Sequence, residues 1–145
     1  MKIIFKTALL SAIVALFASD IWAQSSYKPT TEAPAASTFV KKRYKIKGTW
    51  NIVEQDGQKV IQFNDDFKTK GGPDLKLYLS SKTLSELDGD GVENSSIKLS
   101  VLKSNKGGQS YIIPADVNLS DYQSVLIHCE AYSVLWGGFD IAKTP

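Results

Sequence analysis

Two side chains with chemistry of their own stand side by side late in this chain: His128 and Cys129, its one histidine and its one cysteine. A thiol beside an imidazole is raw material for a nucleophilic pair, a metal site or a redox centre. The stretch that carries them, Ser124 to Tyr132, is rich in β-branched and aromatic residues. It follows a polar turn, Asn118 to Asp121, and precedes Gly137-Gly138, so it reads as a nine-residue strand with the glycine pair as a break after it. Strand side chains alternate faces. Cys129 then shares a small apolar face with Val125, Ile127 and Ala131 and is expected to be buried. His128 falls on the other face with Leu126, Glu130 and Tyr132, where it is expected to be exposed and paired with Glu130. That separation opposes both a Cys–His nucleophile and ligation of one metal by the two neighbours.

A single thiol cannot close an internal disulfide. It is left as an intermolecular partner, a free thiol, a cofactor ligand or an inert core residue. A reactive thiol needs a positive surrounding, and no cation stands near Cys129 in sequence. Thiolate ligation of a haem iron is chemically sound. Covalent c-type attachment is excluded, because Cys-x-x-Cys-His is absent.

The remaining candidate motifs are weaker. Asp88-Gly-Asp-Gly-Val-Glu93 has the start of a calcium loop, but Val92 stands at the fifth position and Leu99 at the twelfth. It reads as a tight acidic turn. Asp65-Asp66 could serve acid–base chemistry, yet adjacent acids at a strand end are normally just solvated. Asn94-Ser-Ser and Asn118-Leu-Ser fit the glycosylation pattern. No nucleophile elbow, phosphate loop or dinucleotide fingerprint is present, so hydrolase and kinase chemistry has no support.

The elements that must position Cys129 are short strands. Tyr44, Ile46, Trp50 and Ile52 alternate with Lys45, Lys47, Thr49 and Asn51, and Gln55-Asp-Gly-Gln58 is a hairpin turn into Lys59–Phe63. Leu75, Leu77 and Leu79 alternate with Lys76, Tyr78 and Ser80; Ile97, Leu99 and Val101 alternate with Lys98 and Ser100. Tyr111 and Ile113 follow, and a last strand is expected near Phe139 to Ala142. Ser81 to Leu87 has room for one helical turn. About seven to nine short strands without a long helix predict an all-β, antiparallel sandwich or barrel.

Upstream, Met1 to Ala23 has the pattern of a signal peptide: Lys2 and Lys6, then an apolar run from Ala8 to Ala18 too short to span a bilayer. Residues 24–38, rich in Ser, Thr, Pro and Ala, read as a flexible linker, and 39–145 as one β-domain. The chain is therefore expected to be exported, to the periplasm or beyond the cell, with no membrane span once the signal is removed. Loss of Lys2, Lys6 and Asp20 leaves 15 basic and 14 acidic side chains, a balance that argues against a nucleic-acid partner. The basic cluster Lys41-Lys42-Arg43, with Lys45 and Lys47, reads as a solvated strand edge.

Several landmarks stand in a recognisable order: Gly48-Thr-Trp50, Asp66-Phe67, Gly72-Pro-Asp-Leu75, Tyr78-Leu-Ser80, Gly108-Gln-x-Tyr111, Pro114, Tyr122 and Ser124-Val-x-Ile-x-Cys129. In these the chain resembles the DM-thirteen family, also called the electron-transfer DM-thirteen domain, from about Val40 to Thr144. It departs from the pattern at His128, where an aromatic residue is expected, and at Phe139, where a small one is. The resemblance implies an extracellular or periplasmic all-β domain, found in the family beside DOMON and cytochrome-b-type membrane domains. It also implies a redox role for the late cysteine, as a bare thiol or as the holder of a group such as haem. On this chain that role falls on Cys129 alone.

The expected function is thus an exported electron-transfer accessory centred on Cys129, as redox thiol or haem ligand, working with a membrane or periplasmic redox protein. The alternative is a non-catalytic adhesion or ligand-binding β-domain in which Cys129 is structural. An enzyme acting through the thiol comes third.

Overall fold

Six consecutive residues, Ser124–Cys129, are buried without exception, and they form the central strand around which the domain is layered. The computed structural model describes residues 37–87 and 92–141. The expected signal peptide and residues 24–36 of the expected linker lie outside the described residues. So do Asp88–Gly91 of the acidic turn and the last four residues. The strands, in chain order, are β1 (Ser37–Thr38), β2 (Val40–Lys41), β3 (Ile46–Lys47), β4 (Thr49–Gln55), β5 (Gln58–Phe63), β6 (Lys68–Thr69), β7 (Leu75–Ser80), β8 (Ser96–Val101), β9 (Gln109–Ile112), β10 (Ser124–Cys129) and β11 (Val134–Asp140). Four of the eleven are two-residue strands, which leaves seven longer ones.

All pairings are antiparallel, in sheets ordered β1-β4-β5-β9, β2-β11-β10-β7-β8 and β3-β6. The fold is the expected all-β sandwich. Ile61, Phe63 and Tyr111 of the four-stranded sheet meet Leu77, Leu79, Val125, Ile127, Cys129 and Phe139 of the five-stranded one in a single core. Trp50 stacks on Phe139 across the sheets, centroids 3.5 Å apart and 14° from parallel. The large residue at 139, where a small one was expected, therefore fills the core. Asp56 and Gly57 both take positive φ, 52° and 74°, the mirror-image turn that matches strand twist. Gln55 pairs with Gln58 across it, as expected.

Three expectations need correction. The strand of His128 and Cys129 does not run to Tyr132: it stops at Cys129, and Glu130–Tyr132 form a 3-10 turn that Ser133, in the left-handed region, leads into β11. Gly137-Gly138 is not a break but the middle of β11. A Cβ on Gly138 would run into the Val125 carbonyl of β10, and one on Gly137 into the Val40 carbonyl of β2. The pair is glycine because β11 lies too close to both neighbours for a side chain. Finally, Ser37–Thr38, expected in the linker, pair with Trp50 and Thr49.

The five-stranded sheet is covered on both faces. Away from the main core, Tyr78, Leu126 and Leu135 pack with Leu84, Leu87 and Val92 into a second apolar cluster. Leu84 and Val92 come from two 3-10 turns, Leu84–Glu86 and Val92–Ser95, the first within the stretch expected to hold a helical turn. Asp140 fastens that layer by accepting the Leu84 N–H at 2.7 Å.

Because the clash at Gly138 is with backbone, Gly138→Ala is expected to destabilise the domain by about 3 kcal/mol or more, read as a lowered urea midpoint at unchanged slope. A change under about 0.5 kcal/mol would mean that β10 and β11 are not so closely apposed.

Candidate functional site

Cys129 ends β10, with Leu75 of β7 and Val134 of β11 as cross-strand neighbours. It is the free thiol expected on the apolar face, 1% exposed and part of the main core. It also lines a pocket of about 260 Å³ walled by Arg43, Tyr44, Lys70, Gly71-Gly72-Pro73, Tyr132, Val134 and Trp136. The wall is well determined by hydrogen bonding and packing. The amides of Lys42, Arg43 and Tyr44 all donate to the Trp136 carbonyl, at 3.0, 3.1 and 3.3 Å, so the basic segment is pinned against β11. The rings of Tyr44 and Trp136 meet at 4.5 Å, and the Lys70 ammonium lies 5.2 Å from the Tyr44 centroid, a cation–π contact. Two cations thus share the pocket with Cys129. Sequence reasoning missed them because they are far away in the chain; the signal was the Lys-Arg run itself, read as a mere edge.

His128 lies on the face that strand alternation gives it, opposite Cys129, but is not exposed there. It is fully buried, with Nε2 3.0 Å from Glu93 Oε1 and its ring edge-on to Tyr78 at 5.8 Å. Its other nitrogen has no partner among the described residues. The face that looked polar is roofed by the second cluster, so the imidazole is covered and Glu93 reaches it from the Val92–Ser95 turn. Glu130, its expected partner, is taken by Tyr78 and by Lys98 at 2.9 Å. Those two, in that order, hold the Glu130 carboxyl below the ordinary carboxylate range, while burial and then the Glu130 bond push the Tyr78 phenol up. Cys129 and His128 face opposite sides of β10 and do not form a pair.

Other candidates resolve into structural roles. Asp66 accepts from the Thr49 amide at 2.9 Å and its hydroxyl at 3.1 Å, so Asp65-Asp66 is not a free acid pair. The Tyr111 hydroxyl donates to Gln109 at 2.6 Å and accepts from the Lys103 amide, and burial pushes its pKa up to about 12. Among the described residues no three His, Cys, Asp or Glu side chains gather as a metal site.

The haem expectation can be tested on the pocket. Its volume, about 260 Å³, falls below the roughly 300–1,000 Å³ of sites that enclose drug-sized ligands. Moreover, the sulfur is 1% exposed among core side chains. The residues present do not fit a porphyrin with Cys129 as its ligand.

Two outcomes follow from this geometry. Glu93→Ala is expected to cost about 1–3 kcal/mol in urea unfolding, because it strands a buried imidazole without a partner; no loss would mean that the 3.0 Å contact contributes nothing. The depressed Glu130 pKa carries a pH signature. Its stabilisation is complete above the unfolded value, about 4.3, and is lost as pH falls through the lower folded value. The urea midpoints of wild type and Glu130→Gln should therefore differ at neutral pH and converge in acid; a gap independent of pH would remove Glu130 as the source.

A family model described as Electron transfer DM13 matches residues 38–141, which span β2 to β11 and include Cys129. No curated protein and no solved structure matches the chain. The match covers well over half of the 145 residues and bears out the resemblance carried by the Gly-Pro-Asp-Leu, Gly-Gln-x-Tyr and late-cysteine landmarks. The chain belongs to the DM13 electron-transfer family.

Proposed function

We propose that this is an exported electron-transfer domain whose working group is the bare Cys129 thiol, exchanging with a redox partner through the pocket that Cys129 lines. The observation that carries the reading is the company of the sulfur: Arg43 and Lys70 stand in the wall of its pocket. In disulfide exchange the thiolate is the nucleophile, and a basic wall suits the approach of an acidic partner. The chain has one cysteine, so the second sulfur must come from the partner. The thiolate attacks one sulfur of a partner disulfide, that S–S bond breaks, a mixed disulfide forms, and the partner's other sulfur leaves as thiolate. The basic start and apolar run of residues 1–23 support export, and an oxidising compartment supplies disulfides.

A second reading rests on the burial of Cys129, 1% exposed within the main core. On it the cysteine is structural and the domain binds a ligand or partner without thiol chemistry.

One experiment separates them. The purified protein is incubated with glutathione disulfide across sub-denaturing urea, and the mixed disulfide on Cys129 is followed by mass spectrometry. The thiol reading expects an adduct whose rate hardly changes with urea well below the unfolding midpoint, rises with pH, and is absent in Cys129→Ser. A rate that climbs with urea as steeply as global unfolding would make the cysteine a structural residue.

A further inference from the structure

The lysines of β3 and β6 are arranged in a way the sequence does not disclose. Ile46 and Thr69 face each other in antiparallel register and are both buried. Their strand neighbours must therefore point to solvent, and Lys45, Lys47, Lys68 and Lys70 all do. Lys47 stands directly opposite Lys68, and Lys68 bridges in turn to Lys106. Direct cross-strand partners share a face, where like charges destabilise one another. Three separate chain segments thus bring like charges together at a cost to the fold.

Among the described residues no acid forms an ion pair with these lysines. The ion pairs of the described residues join Lys76 to Asp74, Lys98 to Glu130 and His128 to Glu93, and none involves these five lysines or Arg43. Asp66, close in sequence, gives its carboxylate to Thr49. Nor is the whole molecule basic, since its formal net charge is only +2. The positive charge is concentrated, and it is continuous with the Cys129 pocket: Lys70 and Arg43 belong to both. Tyr44 and the exposed Tyr132 lie among the cations at the pocket wall. Tyrosine and arginine at the centre with a charged rim is the composition of a protein interface.

We infer that Lys45, Lys47, Lys68, Lys70 and Lys106, with Arg43, form a docking face for an acidic surface on the redox-partner protein, seating it over the Cys129 pocket. The inference rests on the reading of Cys129 as the working group, and it names the kind of partner. Complementary charge steers encounter and fixes orientation, which a single buried sulfur requires if the partner's disulfide is to meet it. A protein fits better than an anionic bilayer, because the face lacks the large apolar stripe that seats an amphipathic surface in lipid.

The test uses the purified protein and two labelled peptides that carry the same activated disulfide, one flanked by glutamates and one by glutamines. Anisotropy reads docking, and release of the leaving thiol reads chemistry. The glutamate peptide is expected to bind about tenfold tighter at low salt and to lose that advantage at high salt. The advantage should vanish in Lys47→Gln/Lys68→Gln/Lys106→Gln and persist in Lys82→Gln, an exposed lysine beyond the far end of β7. Equal binding of the two peptides, or an undiminished advantage in the triple variant, would overturn the docking face. Charge-dependent binding to phosphatidylserine vesicles without binding to the glutamate peptide would overturn it in favour of lipid. Should the triple variant misfold, the salt titration of the unmodified protein against both peptides decides. Charge-dependent docking without thiol release would leave the face standing and remove the thiol reading. Release that is the same for both peptides would keep the thiol and remove the face.

Discussion

Burial of β10 on both faces is the constraint from which the rest of the domain follows. A strand in the middle of an antiparallel sheet normally has one solvated face, and the alternation of polar and apolar residues around His128 suggests one here. Instead all six residues of β10 are enclosed. One face meets the four-stranded sheet through Val125, Ile127 and Cys129; the other is roofed by Leu84, Leu87 and Val92 over Leu126. To reach that state β11 must come close enough that Gly137 and Gly138 have no room for a side chain. Two short 3-10 turns must also cross the outer face, where Asp140 and the His128–Glu93 contact hold them. Two of the covered polar groups are matched from within, Tyr78 by Glu130 and His128 Nε2 by Glu93, while His128 Nδ1 has no partner among the described residues.

How much of this was legible depended on whether the controlling signal was local. The Asp56-Gly57 turn, the alternation through Trp50 and Ile52, and the inward side of Cys129 are properties of a few adjacent residues, and each appears where period and turn chemistry place it. The burial of His128 was missed because its environment comes from Val92–Ser95, more than thirty residues away, and no periodicity in β10 records that a roof is coming. The glycine pair was misread for a related reason. Gly-Gly is a turn signal when judged alone, but here it answers a close approach of backbones from β2 and β10, which is a fact of tertiary structure. The pocket around Cys129 was out of reach for the same cause: its cations come from residues 43 and 70.

Charge follows the same pattern. Composition describes a nearly neutral domain, and composition alone discourages any electrostatic partner. The fold redistributes that charge. Tucking Ile46 and Thr69 into the core turns the flanking lysines of two strands to one side, and the bridge from Lys68 to Lys106 adds a third row. Solubility needs no such row, since scattered charges serve it as well. Uncompensated like charges in register are what a sequence selected for stability alone avoids. They lie beside the Cys129 pocket, which Lys70 lines, rather than on the far edge at β8.

The remaining tension lies between the proposed thiol role, which needs access to the sulfur, and the burial of Cys129, 1% exposed. On that proposal local opening is the physical resolution. The β7 and β11 sides of the sulfur are held by continuous ladders. The rest of its surroundings is irregular: the Gly71-Gly72-Pro73 segment, and the Glu130–Tyr132 turn, whose Tyr132 is 72% exposed and whose C-cap Ser133 takes the left-handed conformation. That turn is joined to the sheet by the Glu130 amide bonding to the Asp74 carbonyl and by the Glu130 carboxylate. A movement confined to such a turn disturbs neither apolar cluster, whereas exposing Cys129 from the β7 side requires parting Leu75 and Leu77 from the core. On the proposed reading, the route to the sulfur runs past Tyr132, in the pocket wall that also holds Arg43 and Lys70.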